Sequence, residues 1–175
     1  IKQSLPDNVF LLDGKTDKDM SDFVRAKMDF KKMSSEDDYT GFDSTQGPEF
    51  QVADAHLMRA YNVPESEILF YLSFLTCIVT FLGILGAMMP SGFKFTLLFN
   101  TLRSMMYQAL KYVIALLTVM LFTGDDSVIN DTPPESSIWK VIGHKFRLIS
   151  KRFTSRFPTF CGWKLTPPGC FKLPS

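Results

Sequence analysis

Apolar residues fall along this chain in short runs broken by turn formers, with a few longer stretches at helical spacing. Val9-Phe10-Leu11-Leu12, entered through the turn signal Leu5-Pro6-Asp7-Asn8 and closed by Asp13-Gly14, is a short apolar run that reads as packing material. Thr16 or Asp17 can cap a helix to about Lys27, with Met20, Phe23, Val24 and Met28 on one face. A second amphipathic helix is predicted over 49–61. Phe50, Val52, Ala53, Leu57 and Ala60 share its apolar face, Gln51, Asp54 and Arg59 lie elsewhere, and Asn62-Val63-Pro64 ends it. Pro90 and Gly92 open a loop before a long helix, about 96–116, packed through Leu97, Leu98, Thr101, Met105 and Leu110.

Residues 117–122 are almost continuously apolar and predict a buried strand, and Val128-Ile129 begins another. Gly124 and Asp125 between them signal a hairpin turn, since Gly accepts positive φ and Asp tolerates tight turns. Beyond a polar, proline-containing loop at 130–137, residues 138–142 read as the end of a short helix. Residues 145–149 alternate charged and apolar as a half-exposed strand does, with Lys151-Arg152 in a loop after it. Residues 159–165 predict a short strand or hairpin, and Thr166-Pro167-Pro168-Gly169 is expected to end regular structure. Residues 68–89 carry no charge. Hydropathy alone admits a membrane span there; the alternative is a buried helix, about 66–77, followed by strand-prone Ile78-Val79-Thr80-Phe81 and a turn region at Gly83 and Gly86.

At 175 residues the chain can bury one core, and its start at Ile1 without a signal segment reads as a piece of something longer. The formal net charge is +1, but its distribution is lopsided. Residues 136–175 contain no Asp or Glu against eight Lys and Arg, while most acids precede residue 68, so cations and a polyanion are expected to meet on one surface. Cys77, Cys161 and Cys170 have no C-x-x-C spacing, and His56 and His144 complete no zinc pattern with them; a reducing compartment fits.

Three stretches carry candidate chemistry. Asp125 and Asp126 at a hairpin tip repel each other unless a hard divalent cation sits between them. Asp38 and Asp43, five apart, can face one cleft if the chain is extended at Asp38 and turns helical near Ser44. Thr96 and Asn100 share a helix face and can bind a sugar hydroxyl. Each alone also fits a plainer account: a polar hairpin, a solvated acidic loop, a helix cap.

Taken in order, these stretches resemble viral RNA-dependent RNA polymerases of the alphavirus-like group, nearest to tymovirus and flexible filamentous plant and fungal virus replicases. Asp38-Tyr39-Thr40-Gly41-Phe42-Asp43-Ser44-Thr45-Gln46 is similar to motif A, with Gly41 where Ala is more frequent and Asp37 where Asn is usual. Ser91-Gly92, Thr96, Asn100 and Thr101 match the spacing of motif B. Thr123-Gly124-Asp125-Asp126-Ser127 matches motif C, and Phe160-Cys161-Gly162-Trp163 resembles the F-C-G-W run at the motif E position.

The resemblance implies an α/β (α+β) polymerase palm, a small antiparallel sheet flanked by helices, with fingers and thumb largely absent. It places residues 1–35 at the C-terminal part of the fingers and 36–175 in the palm: motif A at 38–46, B at 91–101, C at 123–127, D at about 138–152 and E at 159–165. A palm needs residues 68–89 inside protein, so no integral membrane span is expected. It further implies two-metal nucleotidyl transfer with Mg2+, or Mn2+, held by Asp38, Asp125 and Asp126, and Lys151 as general acid. Asp43, Ser91, Gly92, Thr96 and Asn100 would bind the nucleotide and its ribose, and Phe160, Cys161, Gly162 and Trp163 would grip the primer. The implied partners are RNA template and nascent strand, nucleoside triphosphates, and the methyltransferase and helicase domains of one polyprotein, in the host cytoplasm at membrane-associated replication complexes. Two rivals stand beside this reading: a membrane-anchored interaction protein built on 68–89, and a metal-dependent nuclease using the same acids.

Overall fold

A computed structural model describes residues 5–42, 47–77, 79–80, 83–84, 96–145 and 149–174. Strand β1 (Val9–Leu11) leads into helix α1 (Asp17–Lys27), and Thr16 caps α1 through a reciprocal bond with Asp19. Strand β2 (Ser34–Thr40) precedes helices α2 (Pro48–Ala60) and α3 (Glu65–Cys77) and a small hairpin, β3 (Val79–Thr80) with β4 (Gly83–Ile84). Helix α4 (Thr96–Lys111) runs to the hairpin of β5 (Met120–Thr123) and β6 (Asp126–Ile129). Helix α5 (Ser137–Ile142), capped by Ser136, is followed by one 3-10 turn over Gly143–Lys145, then β7 (Ile149–Ser155), β8 (Thr159–Phe160), β9 (Trp163–Thr166) and β10 (Gly169–Lys172).

Five strands form the main sheet in the order β1-β5-β6-β2-β7, antiparallel except that β1 runs parallel to β5. Alternation along the strands divides the buried residues between two faces. On one face Phe10, Leu121 and Val128 pack with Met20, Val24 and Met28 of α1 and with Phe160 and Leu165 of the three-stranded sheet β8-β9-β10. The other face meets α4. There Tyr39, Phe42, Phe50 and Tyr107 form an aromatic cluster, and Tyr71, Leu75 and Phe99 join α3 to α4.

Several expectations are corrected. On α2, Val52 is 57% exposed while Gln51 and Asp54 are buried. Asp54 is drawn inward because the Arg103 guanidinium pairs with it and Tyr71 Oη donates to it at 2.7 Å, partners that lie on α4 and α3. The buried residues of α4 are likewise Thr96, Phe99, Asn100, Thr101, Arg103, Ser104, Tyr107, Gln108 and Lys111; Thr101 packs as expected, whereas Leu97 is exposed. That helix stops at Lys111, because Val113 N–H bonds Pro134 O and Ser136 N–H bonds Lys111 O, drawing the chain onto the 130–136 loop. Strand β5 starts only at Met120, where pairing to β1 and β6 begins, and Leu117 stays in water. Lys151 and Arg152 belong to β7 rather than a loop, because β7 pairs with β2 along all seven residues. The Pro167-Pro168 turn does not end regular structure but returns the chain as β10.

The stretch 68–89 begins as the second half of α3. Among the described residues no helix is long and apolar enough to cross a membrane. Met20 lies at the centre of its core with no exposure, so Met20→Ala should cost about 2–5 kcal/mol. Val52→Ser should change stability by less than about 0.5 kcal/mol, despite its apolar-looking position. Equilibrium denaturation midpoints of the two variants check this pair.

Candidate functional site

The β5–β6 hairpin presents the paired acids. Thr123 and Asp126 close a two-residue turn in which Gly124 adopts φ +55°, the conformation a tight hairpin demands at its first turn position. A Cβ on Gly124 would meet only Leu97 Cδ1 at 3.5 Å, so glycine supplies backbone conformation here, not space. Asp125 and Asp126 are both exposed at the tip.

Strand register brings the remaining candidates alongside. Asp37 pairs with Ser127, the last pair of the β2–β6 register, and the next residues along the two strands are Asp38 and Asp126. On the opposite side Asp38 pairs directly with Lys151. Asp126, Asp38 and Lys151 therefore form a row across β6, β2 and β7 on one face, with Asp125 at its end, and all four are exposed. The sequence separates Asp38 from Asp125 by most of the domain; antiparallel pairing joins them.

A second hairpin leans on this row. Cys161 (φ +51°) and Gly162 (φ +75°) form the turn between β8 and β9, anchored by buried Phe160. The Cys161 thiol lies close enough to Asp126 and Asp125 to feel both charges. Burial pushes that thiol up, and the charges of Asp126 and then Asp125 push it further. Glu36, on the same face, is also raised, first by burial and then by Asp126, against the Thr159 amide and Lys164. Trp163 faces a cation, Lys172 Nζ lying 5.9 Å from its ring.

Behind the row is a buried network that the sequence did not reveal. Asp37 accepts from Lys111 Nζ at 2.9 Å, Gln108 Nε2 at 2.9 Å and Tyr112 Oη at 3.1 Å. Gln108 Nε2 also lies 2.8 Å from Ser127 Oγ and 2.9 Å from Tyr39 Oη, and Lys111 Nζ lies 2.8 Å from Ser150 Oγ. The residues gripped, Asp37, Ser127 and Ser150, immediately adjoin Asp38, Asp126 and Lys151. A signal was present: Lys111 at the end of an apolar helix, and one acid more in the run 36–38 than the motif needs.

Thr96 and Asn100 are buried on the first turns of α4, and Thr101 Oγ1 meets the Gly124 amide. Asp43, Ser91 and Gly92 lie outside the described residues. Among the described residues no three carboxylate, thiol or imidazole groups converge into a ready cage for an ion. Three exposed carboxylates on adjoining strand ends nevertheless have the right chemistry for magnesium. That ion keeps several waters and takes one or two carboxylates together with substrate phosphates, so a closed protein cage is not required.

A sequence model of the family described as RNA dependent RNA polymerase matches residues 1–170. The chain is 33% identical over 174 residues to the RNA replication protein of Botrytis virus F, covering 99% of this chain and 9% of that protein. It is 32% identical over 174 residues to the RNA replication protein of strawberry mild yellow edge-associated virus, covering 97% of this chain and 13% of that protein. It is 30% identical over 174 residues to the RNA replication protein of potato virus X, with coverage of 97% and 12%. The chain thus spans about a tenth of the length of these relatives.

The Asp37–Lys111 pair yields a stability cycle. Lys111→Met strands a buried carboxylate and should cost about 3–5 kcal/mol. Asp37→Asn combined with Lys111→Met removes both charges and should recover most of that loss. Denaturation of the two single variants and the double variant measures the coupling.

Proposed function

The chain belongs to the RNA-dependent RNA polymerase family, and on that premise we propose that it forms the palm of a viral replicase and supports template-directed RNA synthesis. The observation that carries this reading is the row Asp126–Asp38–Lys151 across three neighbouring strands, with Asp125 at its end. The β2–α–β5–β6–α–β7 succession, with the acids on the face away from α4, supports the palm assignment for 36–175. Residues 1–35 are assigned to the end of the fingers region, joined to the palm where β1 pairs with β5.

Asp38 and Asp125 would be the principal magnesium ligands, with Asp126 assisting; Mn2+ would substitute. When bound, two such ions lower the pKa of the attacking RNA 3′-hydroxyl and neutralise the triphosphate and its leaving pyrophosphate. Asp43 and Asn100 would select the ribose, since a carboxylate and an amide together satisfy a 2′-hydroxyl that both donates and accepts. Thr96 would support that pair, and Ser91-Gly92 would position template and nucleotide. Lys151, placed against Asp38, would deliver a proton to the departing pyrophosphate. Cys161 lies close to Asp126, so the Phe160–Trp163 turn would set the height of the primer strand over the acids. The basic, acid-free region 136–175 suits RNA phosphates, and binding through it should weaken with salt. Methyltransferase and helicase domains of the same polyprotein, and membrane-associated complexes in the host cytoplasm, complete the proposed setting.

In the replicase carrying this chain, Asp38→Asn and Asp125→Asn should each lower polymerisation by roughly a thousandfold or more, and Asp126→Asn less. Extended primers on a gel support a polymerase; shortened strands would instead support a nuclease. Asn100→Ala should relax discrimination against deoxynucleotides, read from the ratio of kcat/KM for paired ribo- and deoxynucleotides.

A further inference from the structure

Helix α4 is hydrogen-bonded to the acid-bearing turn through the Thr101 side chain. Thr101 is 2% exposed. Its hydroxyl donates to the Leu97 carbonyl one turn back at 2.7 Å, a bond that threonines in helices often make. That bond fixes the rotor and leaves the oxygen's lone pairs facing out of the helix. The Gly124 amide donates to the same oxygen at 2.7 Å. The β5–β6 ladder ends at the Thr123–Asp126 pair, so this turn amide depends on an acceptor outside the sheet. A second tie lies farther along the helix, where Gln108 meets Ser127 just beyond Asp126. Helix α4 thus holds the hairpin on both sides of its acid pair.

We propose that Thr101 is a positioning residue for the Asp125–Asp126 turn, coupling the helix that carries Thr96 and Asn100 to the acids. The proposal rests on the polymerase reading and deepens it. Gly124 immediately precedes Asp125 and, lacking a Cβ, is the least conformationally restricted residue of the hairpin. Capture of its amide by a hydroxyl pinned to the helix removes that freedom. A nucleotide seated against Asn100 and cations seated on Asp125 then share one frame of reference. Small displacements of reacting groups are costly to rate, so the link acts on turnover more than on nucleotide affinity.

Isosteric chemistry makes this testable in the full replicase. Thr101→Val keeps the shape and removes both bonds; Thr101→Ser keeps both bonds and removes a methyl group. Thr101→Val should lower kcat roughly tenfold to a hundredfold, the scale of leaving a buried amide unpaired, with KM for the correct nucleotide changing less than about threefold. The Mg2+ concentration giving half-maximal rate should rise. Thr101→Ser should return kcat to within about threefold of the parent. The proposal is overturned if Thr101→Val keeps the parental kcat and metal requirement, if Thr101→Ser is as impaired as Thr101→Val, or if the lost activity merely tracks loss of folded protein by thermal melting. Asp125→Asn is measured in parallel. If it is inactive while Thr101→Val is normal, only the coupling fails; if it remains active, the polymerase reading and the coupling fall together.

Discussion

One buried carboxylate, Asp37, ties the main sheet to helix α4. It lies in the middle of β2 and receives hydrogen bonds from Lys111, Gln108 and Tyr112, all from the end of the helix. Burying an ion pair in this way does not by itself stabilise a fold, because desolvation of both charges offsets most of their attraction. What it gives is one permitted alignment. Were β2 to slip by a residue, its faces would exchange, turning Tyr39 out of the aromatic cluster and Glu36 and Asp38 inward.

That constraint reaches the front of the sheet through strand alternation. Consecutive side chains point to opposite faces, so gripping Asp37, Ser127 and Ser150 from behind fixes the backbone at Asp38, Asp126 and Lys151 in front. The front residues stay exposed, while their positions are set by buried groups behind the sheet. Close placement of like charges is unfavourable without cations, and the buried network helps the backbone withstand it.

The same division of labour explains the polar stripe of α4. A helix packed on apolar contacts alone can rotate or slide at modest cost. Arg103 on Asp54, Lys111 on Asp37 and Thr101 on the Gly124 amide each have one satisfying geometry, so together they fix the rotation and height of the helix. On the other side of the hairpin, the β8–β9 turn brings the Cys161 thiol close to the acid pair.

Local chemistry was written in the sequence and survives in the fold. The Thr16 cap, the helices beginning near 17, 49 and 96, the Gly124 turn and the hairpin at 159–165 follow from short-range sterics and hydrogen bonding, which need no partner elsewhere. The motif residues were equally legible, since their spacing survives as letters. Tertiary structure alone decided which polar groups are inside. Asp37, Asp54, Gln108 and Lys111 look like surface residues by type, and their burial depends on partners 17 to 75 positions away. It also decided that Lys151 sits in a strand against Asp38. A strand with charged, half-exposed residues is specified by the neighbour that pairs with it, and no window of its own sequence contains that neighbour.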